Sequence, residues 1–484
     1  MRFLEFSVGW YLGCLHSLDP AVGYQNRPWV MMRGQDVVRV SDSGEVILAG
    51  TRSVNSQLKR GVRMGKTIAE KILSRKANED VKAYDLVVAE VDMVMGTDTN
   101  GPTAMEYFRK LGKEQVFDPK RIAFALDHLY PCPTAAAANI HHVMREFVSE
   151  YGVILFEGGE GIGHQLMVEM GYVLPGELIV ATDSHTTTYG AFNSFGTGFG
   201  SAEAAVVMAT GKSWFRVPGT VRVDFTGEFA PGVVSKDMVL YLLGRFGTRG
   251  LLYKALEIGG DAVARLSMAE RMTITNMAVE MGAKTAVMDC DQITLQYLEE
   301  RAKRDFTPVE ADDDAVYEER ITVDVSDLEP MVALPHSPSN VVPVSEVCGT
   351  RVDQVLIGYC TNGRYEDFVA AAKVLNGNKL ARRTRLIICP ASRAVYQKLV
   401  QSGLMELFLS LGAAIASPGC GACAGYHTGI LADGEVCLAT TNRNFKGRIG
   451  NPKADIYLGS PLTAAAAAVA GEIIAPDQLG VNVA

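Results

Sequence analysis

The sequence lacks three features that would assign it to a specialised class of protein. No uninterrupted apolar run approaches the roughly twenty residues that a membrane-spanning helix needs. The nine cysteines are scattered at irregular spacing, which is not the pattern of a disulfide-rich secreted domain. The net charge of −9 argues against a basic nucleic-acid-binding surface. We therefore expect a cytoplasmic protein whose partners are neither membranes nor nucleic acids.

The chain is long enough for several globular domains. It has 484 residues, of which 48% are hydrophobic and 21% are charged, as in ordinary globular proteins. Residues 1–63 differ from the remainder because they show no sustained hydrophobic periodicity. We expect this range to be a poorly ordered extension, or the product of a start assigned too far upstream.

From residue 64 onward, short apolar strands alternate with amphipathic helices. Such alternation predicts α/β domains with parallel sheets. A proline-rich passage at 330–343 is expected to be a linker between domains. The predicted domains are residues 64–215, 216–330 and 331–484.

Polar residues with catalytic potential directly follow several of the predicted strands. They include Asp127, His128, Asp183, Ser184, His185, Cys360, Asn442, Arg443 and Arg448. Ligand sites of parallel sheets collect outside the carboxyl ends of the strands, so we expect one shared site. Taken singly, each has an ordinary structural alternative. Asp127 and His128 fit a surface pair, the segment 183–185 fits a helix-capping turn, and His164 fits a hydrogen-bonded core residue. Glu257, Arg443 and Arg448 fit solvated side chains.

Three cysteines form a candidate metal site. Cys420 and Cys423 lie in a glycine-rich loop that can direct both thiols toward one centre, and Cys360 follows an apolar strand. An iron–sulfur cluster suits such ligands. A zinc site completed by His427 and a set of unligated thiols are equally consistent with the spacing.

Three stretches carry a family resemblance: ATDSHTTTYGAF at 181–192, PGCGAC at 418–423 and NRNFKGR at 442–448. They resemble the aconitase superfamily, most closely the separate large subunits of isopropylmalate dehydratase and homoaconitase-type enzymes. The resemblance runs from about Met64 to the C-terminus. It implies an α/β fold of three aconitase-type domains around an iron–sulfur cluster, without the mobile fourth (swivel) domain of full-length aconitases.

The resemblance also implies a cofactor and residue roles. One [4Fe–4S] cluster per subunit would be held by Cys360, Cys420 and Cys423, with one iron not ligated by cysteine. Asp127 and His128 would supply a proton to the leaving hydroxyl. By the same resemblance, two further pairs would surround the hydroxyl, namely His164 with Glu257 and Asp183 with His185. The residues implied to contact the substrate or the cluster are Ser184, Asn442, Arg443 and Arg448.

The implied activity is that of a hydro-lyase, with 3-isopropylmalate dehydration in leucine biosynthesis as the leading expectation. Homoaconitase and hydratases of small diacids such as dimethylmalate, citraconate or maleate are alternatives, and a non-catalytic cluster-based sensor is a third. The implied partner is a small subunit carrying the swivel domain, in a heterodimer or heterotetramer. Tyr359 departs from the family pattern, which has a small serine before the first cysteine, and we expect it to crowd the site.

Overall fold

A computed structural model describes residues 65–480 and, nearer the N-terminus, the backbone of four short strands. These are β1 (Tyr11–Leu12), β2 (Val30–Arg33), β3 (Asp36–Val40) and β4 (Val46–Ala49), which form an antiparallel sheet in that order. The rest of residues 1–64 lies outside the described residues. The expectation that residues 1–63 are poorly ordered concerns that range and stays a prediction.

The first region of the described chain contains a five-stranded parallel sheet and an antiparallel strand pair. Its strands are β5 (Leu86–Glu90), β6 (Met93–Thr97), β7 (Ile122–Ala125), β8 (Ile154–Phe156), β9 (Leu178–Ala181), β10 (Phe195–Gly198) and β11 (Lys212–Arg216). The parallel sheet has the order β10-β9-β6-β7-β8, and β5 pairs with β11. Its helices are α1 (Ile68–Ala77), α2 (Gly101–Lys110), α3 (Ala135–Tyr151), α4 (Gly163–Glu169) and α5 (Ser201–Thr210).

The second region contains a four-stranded parallel sheet with the order β14-β13-β12-β15. Its strands are β12 (Thr220–Thr226), β13 (Ala255–Gly259), β14 (Thr285–Met288) and β15 (Glu319–Asp324). Its helices are α6 (Ser235–Phe246), α7 (Asp261–Ala264), α8 (Met268–Met277) and α9 (Gln292–Glu299).

The third region contains a seven-stranded sheet with the order β17-β16-β22-β21-β18-β19-β20. Its strands are β16 (Met331–Ala333), β17 (Val341–Pro343), β18 (Gln354–Gly358), β19 (Arg385–Cys389), β20 (Ala414–Ile415), β21 (Val436–Ala439) and β22 (Asp455–Leu458). Its helices are α10 (Tyr359–Asn362), α11 (Tyr365–Leu375), α12 (Arg393–Gln401), α13 (Leu404–Ser410) and α14 (Pro461–Ala470).

The α/β fold predicted from the sequence is confirmed, but the linker predicted at 330–343 is wrong. This passage contributes β16 and β17, which pair with each other in antiparallel fashion and join the third sheet through β22. Of the prolines in this passage only Pro343 lies within a strand, and it is tolerated because β17 is the edge strand of the sheet, where fewer backbone N–H groups need partners. The five-stranded sheet, the four-stranded parallel sheet and the seven-stranded sheet fall within the three predicted domain ranges, and the boundaries themselves stay a prediction.

One buried arginine connects the three regions near the carboxyl ends of their strands. The guanidinium of Arg364 donates to Gln165 Oε1 in the first region at 3.1 Å and to the Ala269 carbonyl in the second at 3.2 Å. It also donates to the Cys360 and Thr361 carbonyls in the third, at 2.7 and 2.8 Å. Five donors in a rigid plane suit such a junction, so Arg364 fixes the backbone beside Cys360.

None of the helices within residues 65–480 combines the length and hydrophobicity that a membrane span requires.

The segment after His185 packs against the second region without room for a side chain at Gly190. A Cβ atom built on Gly190 would lie 1.7 Å from the carbonyl oxygen of Ala286 in β14. Gly190 belongs to the 3₁₀ helix Ser184–Phe192, which begins with site residues. The absence of a Cβ therefore permits the contact that places this helix.

Replacing Gly190 with alanine should lower the free energy of unfolding by about 2 kcal/mol or more, because backbone must move to relieve the overlap. Urea unfolding of the whole chain measures the change. Gly200→Ala is the matched control, since its Cβ would meet only the flexible Glu203 side chain at 3.3 Å, and it should cost less than about 1 kcal/mol. Equal losses in the two variants would contradict the packing argument.

Candidate active site

The turn after β7 is held by a carboxylate from the neighbouring strand. Asp98 follows β6 and is fully buried. Its two oxygens accept hydrogen bonds from the backbone N–H groups of His128 and Leu129, at 3.0 and 2.9 Å. The second oxygen also lies 2.8 Å from His141 Nε2. These contacts aim the His128 side chain at the carboxyl ends of the strands.

Asp127 and His128 form a close pair. His128 Nδ1 lies 2.7 Å from Asp127 Oδ1, and Asp127 Oδ2 accepts from the backbone N–H of Gly163 at 2.8 Å. Burial alone would lower the pKa of His128. The charge of Asp127 and its hydrogen bond, with the charges of Asp183 and Asp98, outweigh burial and raise that pKa to about 10. The pair therefore holds an imidazolium, which is a proton donor.

Asp183 is the carboxylate partner of His164. Asp183 Oδ1 lies 2.8 Å from His164 Nε2 and accepts the backbone N–H of His185 at 2.8 Å. Its other oxygen lies 3.6 Å from His128 Nε2. Burial would raise the pKa of Asp183, but its contacts with His164 and His185 hold that pKa well below the usual range. Asp183 thus remains charged and links three histidines.

The ring of His185 pairs with a glutamate that the sequence analysis missed. His185 Nε2 lies 2.8 Å from Glu280 Oε1, and the same oxygen accepts from Arg443 Nε at 2.7 Å. Arg443 Nη2 donates to Ser184 Oγ at 2.9 Å. Although burial opposes it, the charges and hydrogen bonds of Arg443 and His185 lower the pKa of Glu280. Glu280 is a buried, charged carboxylate in contact with two candidate site residues.

The predicted pairing of His164 with Glu257 is wrong. Glu257 lies in the middle of β13, where its carboxylate accepts from Arg222 Nη1 at 3.0 Å, from the Ile68 N–H at 3.1 Å and from the Tyr317 hydroxyl. Burial raises the pKa of Glu257 despite these partners. Because it lies within the strand rather than at its carboxyl end, its side chain does not reach the histidines.

The three candidate cysteines are buried in one cluster where the second and third sheets meet. Cys360, Cys420 and Cys423 are 5%, 8% and 4% exposed, and none forms a disulfide. Cys360 is the second residue after β18, in the short helix α10, and the Cys420 N–H donates to the carbonyl of Asp127 at 2.7 Å. This contact attaches the cysteine loop to the turn that bears His128.

Hydrogen-bond donors surround the sulfur atoms. Asn276 Nδ2 and Asn442 Nδ2 lie 3.4 and 3.5 Å from Cys360 Sγ, and Arg448 Nη2 lies 3.7 Å from Cys423 Sγ. Burial raises the pKa of Cys360 to about 12, so the free thiol is protonated. Amide and guanidinium donors aimed at sulfur suit a thiolate, which is the form that binds a metal. The donor set therefore fits an iron–sulfur cluster.

The spacing of the cysteines also bears on the zinc alternative. Among residues 65–480, the only set of three or more ligating atoms within 4.8 Å of one another is that of Asp127, His128 and Cys420. The three Sγ atoms are thus too widely spaced to share one zinc ion, whose Zn–S bonds are about 2.3 Å. His427, the proposed fourth zinc ligand, has its Nδ1 2.7 Å from Thr428 Oγ1 and its Nε2 buried without a hydrogen-bond partner, and among residues 65–480 it belongs to no set of three ligating atoms. A cluster suits wider spacing because each thiolate binds a different iron.

Arg448 has an unpaired N–H group that is available to an anion. Its Nε is buried without a hydrogen-bond partner, although its guanidinium approaches Cys423. Burial would lower the pKa of Arg448, but Cys423, Glu280 and Asp183 raise it. A buried cation with an unpaired N–H is a candidate for a substrate carboxylate.

Tyr359, the departure noted in the sequence, is 1% exposed and its hydroxyl is buried without a hydrogen-bond partner. It has φ = 70° at the turn into α10. Burial raises its pKa well above the usual range, and the nearby groups that add to the effect are all cysteines. The ring therefore packs among the thiols. The expectation that Tyr359 crowds the candidate site stays a prediction.

Sequence reasoning missed Asp98, Asn276 and Glu280. One feature of the sequence indicates that Glu280 is buried: it is an acidic residue within the apolar stretch Met277–Ala283. Glu257 carries the same signal between Leu256 and Ile258. The tertiary structure alone separates the two glutamates.

Comparisons with known proteins agree with the geometry. Residues 70–350 and 345–471 match the model of the aconitase family (aconitate hydratase). The large subunit 1 of 3-isopropylmalate dehydratase from Methanopyrus kandleri is 51% identical over 414 residues, covering 85% of this chain and 99% of the relative. Its counterpart from Pyrococcus furiosus is 50% identical over 420 residues, covering 86% and 99%. That from Pyrococcus abyssi is 48% identical over 421 residues, covering 86% and 100%.

The protein purified without oxygen should contain about four iron and four sulfide per chain and little zinc, because its three buried thiols suit a cluster. Elemental analysis and visible absorption measure the content. Cys420→Ala should lose most of the iron, whereas the control Cys437→Ala, which removes an equally buried thiol within β21, should keep it. Stoichiometric zinc without sulfide would contradict the cluster assignment.

Proposed function

Because the chain belongs to the aconitase family, we propose that it is the large subunit of a hydro-lyase with 3-isopropylmalate dehydratase activity. The reaction interconverts hydroxy-acid isomers by loss and re-addition of water and serves leucine biosynthesis. Support comes from relatives with that name, which are matched over nearly their whole length.

The observation that carries the proposal is the meeting of three histidine–carboxylate pairs with three buried cysteines. The pairs are His128 with Asp127, His164 with Asp183, and His185 with Glu280. Cys420 joins the first pair through the carbonyl of Asp127, and Cys360 lies beside Asn276 and Asn442. A structural metal site would not need these buried charges, which are costly unless each one has a partner.

Loss of hydroxide requires a proton, and we assign its delivery to His128. Asp127 orients the ring through Nδ1 and stabilises the imidazolium, so Nε2 presents the proton. Asp183 lies 3.6 Å from that Nε2 and can stabilise the same charge as the proton moves. The hydrogen bonds that the backbone N–H groups of this turn donate to Asp98 keep the ring from shifting.

The substrate carboxylates would be bound by Arg443 and Arg448. Arg443 is held from two sides, by Glu280 at Nε and by Ser184 at Nη2, so its remaining N–H groups have a defined direction. Arg448 contributes its unpaired Nε. A guanidinium can bind a carboxylate through two parallel hydrogen bonds, which fixes orientation as well as position.

A [4Fe–4S] cluster would be held by Cys360, Cys420 and Cys423, with Asn442 and Asn276 donating to sulfur. When bound, it supplies a Lewis acid that polarises the leaving hydroxyl, through an iron that no cysteine ligates. His128, His164 and His185 then surround that hydroxyl.

The proton removed next to a carboxylate needs a base, and we assign this base to a small subunit. The relatives are named as large subunits. We propose that a partner with the swivel domain covers the surface beside the cluster cysteines and excludes water from it. The same partner would contact the substrate's variable group and select for it. That group distinguishes isopropylmalate from the substrates of homoaconitase and the small-diacid hydratases.

Glu280→Gln should lower kcat at least about hundredfold, because the neutral amide no longer balances His185 and Arg443. Conversion of 3-isopropylmalate by the complex with its small subunit, at equal cluster content, measures the effect. Glu257→Gln is the matched control, since it neutralises an equally buried glutamate, and it should keep most of the turnover. A larger loss in the Glu257 variant, with the fold intact, would contradict the assignment.

The chain alone should load a cluster yet show negligible dehydratase activity, because the base is expected on the partner. Adding the purified small subunit should restore turnover and slow the loss of iron in air. Full activity of the isolated chain, with no second band on a denaturing gel, would contradict the two-subunit proposal.

A further inference from the structure

We propose that Lys236 is a positioning residue for Asn442 and Arg443, through which it determines how firmly the substrate carboxylate is bound. The assignment of Arg443 to the substrate rests on the proposed function. The placement of the loop by Lys236 does not, because it is a property of the chain alone.

Lys236 lies in the first turn of α6 and is fully buried. Its ammonium donates to the backbone carbonyls of Thr440 at 2.8 Å and Thr441 at 2.7 Å. Lysine is almost never fully buried without such partners, since removing its charge from water is costly. Both hydrogen bonds cross from the second region to the loop that follows β21 in the third.

The two carbonyls immediately precede Asn442 and Arg443. Asn442 Nδ2 lies 3.3 Å from Asn276 Oδ1 and 3.5 Å from Cys360 Sγ, and Arg443 contacts Glu280 and Ser184. β21 ends at Ala439, and the sheet still holds the N–H side of the next residue, since the Thr440 N–H donates to the Leu356 carbonyl in β18 at 2.9 Å. Lys236 holds the carbonyl side of this segment, because its ammonium donates to the carbonyls of Thr440 and Thr441.

Burial and the neighbouring acidic groups shift the pKa of Lys236 in opposite directions. Burial lowers its pKa to about 7, whereas Asp367, Asp237, Cys360 and Cys423 act in the opposite direction. The adjacent Asp237 is not its hydrogen-bond partner, since Asp237 accepts from the Met331 and Val234 N–H groups. The side-chain nitrogen of Lys236 is thus directed to the loop rather than to the nearest acid.

Removing the ammonium leaves two buried carbonyls unpaired, which costs more than the hydrogen bonds contributed. The loop then shifts to find other donors and carries Arg443 with it. A displacement of about 1 Å at a substrate-positioning group can cost about a hundredfold in rate.

Lys236→Met keeps the length and apolar stem of the side chain and removes its donors. Hydrogen exchange of the chain without its partner should be at least about fivefold faster at residues 441–444 and unchanged in α8. Asp237→Asn is the matched control, because it alters an equally buried neighbour that contacts other backbone groups. It should leave exchange at 441–444 unchanged.

A double-mutant cycle with the reconstituted complex separates positioning from a general structural role. We expect Lys236→Met to lower kcat/KM for 3-isopropylmalate about a hundredfold, mainly through KM. In an Arg443→Lys background, where the guanidinium fork is already lost, the same change should cost less than about threefold.

Unchanged exchange at 441–444 in Lys236→Met, or losses that multiply in the double variant, would overturn the role of Lys236. A wild-type complex that shows no turnover of any hydroxy acid would instead overturn the proposed function. In that case the exchange measurement still decides whether Lys236 places the loop.

Discussion

The candidate site depends on the contacts of one aspartate. The backbone carbonyl of Asp127 accepts the Cys420 N–H, one carboxylate oxygen holds His128, and the other accepts the Gly163 N–H. One residue thereby joins the cysteine loop of the third sheet to two loops of the first. A Cβ on Gly419 would lie 2.8 Å from that same carbonyl, so the approach requires glycine next to the cysteine.

The surrounding charges are stable only as a set. Three imidazole rings and the guanidinium of Arg443 alternate with the carboxylates of Asp127, Asp183 and Glu280 in a buried space. An isolated charge there would change its protonation state, whereas Asp183 and Glu280 stay ionised because their contacts with the neighbouring basic groups outweigh burial and lower the pKa of each. The same alternation that permits burial also prepares the groups to move a proton, so structural and chemical requirements coincide.

Much of the site could be predicted because its residues follow strands. The apolar runs before Asp127, Asp183 and Cys360 are recognisable in the sequence, and parallel sheets place the residues after such runs at one edge. The family motifs extended this to Asn442, Arg443 and Arg448. The sequence did not single out Asp98, because two of its partners are backbone N–H groups, which carry no sequence signature, and the third, His141, is 43 residues away in the chain.

The sequence by itself determined the α/β class, the strand ends that carry the polar residues and the cysteine set, because these depend on local hydrophobic pattern and short motifs. Only the tertiary structure decided which glutamate pairs with a histidine. Glu257 and Glu280 are both acids among apolar residues, but one lies within β13 and the other comes after α8. The passage at 330–343 was decided in the same way, since its two strands form by pairing with each other and, for β16, with β22. Pairing and side-chain direction depend on contacts distant in sequence, which no local pattern records.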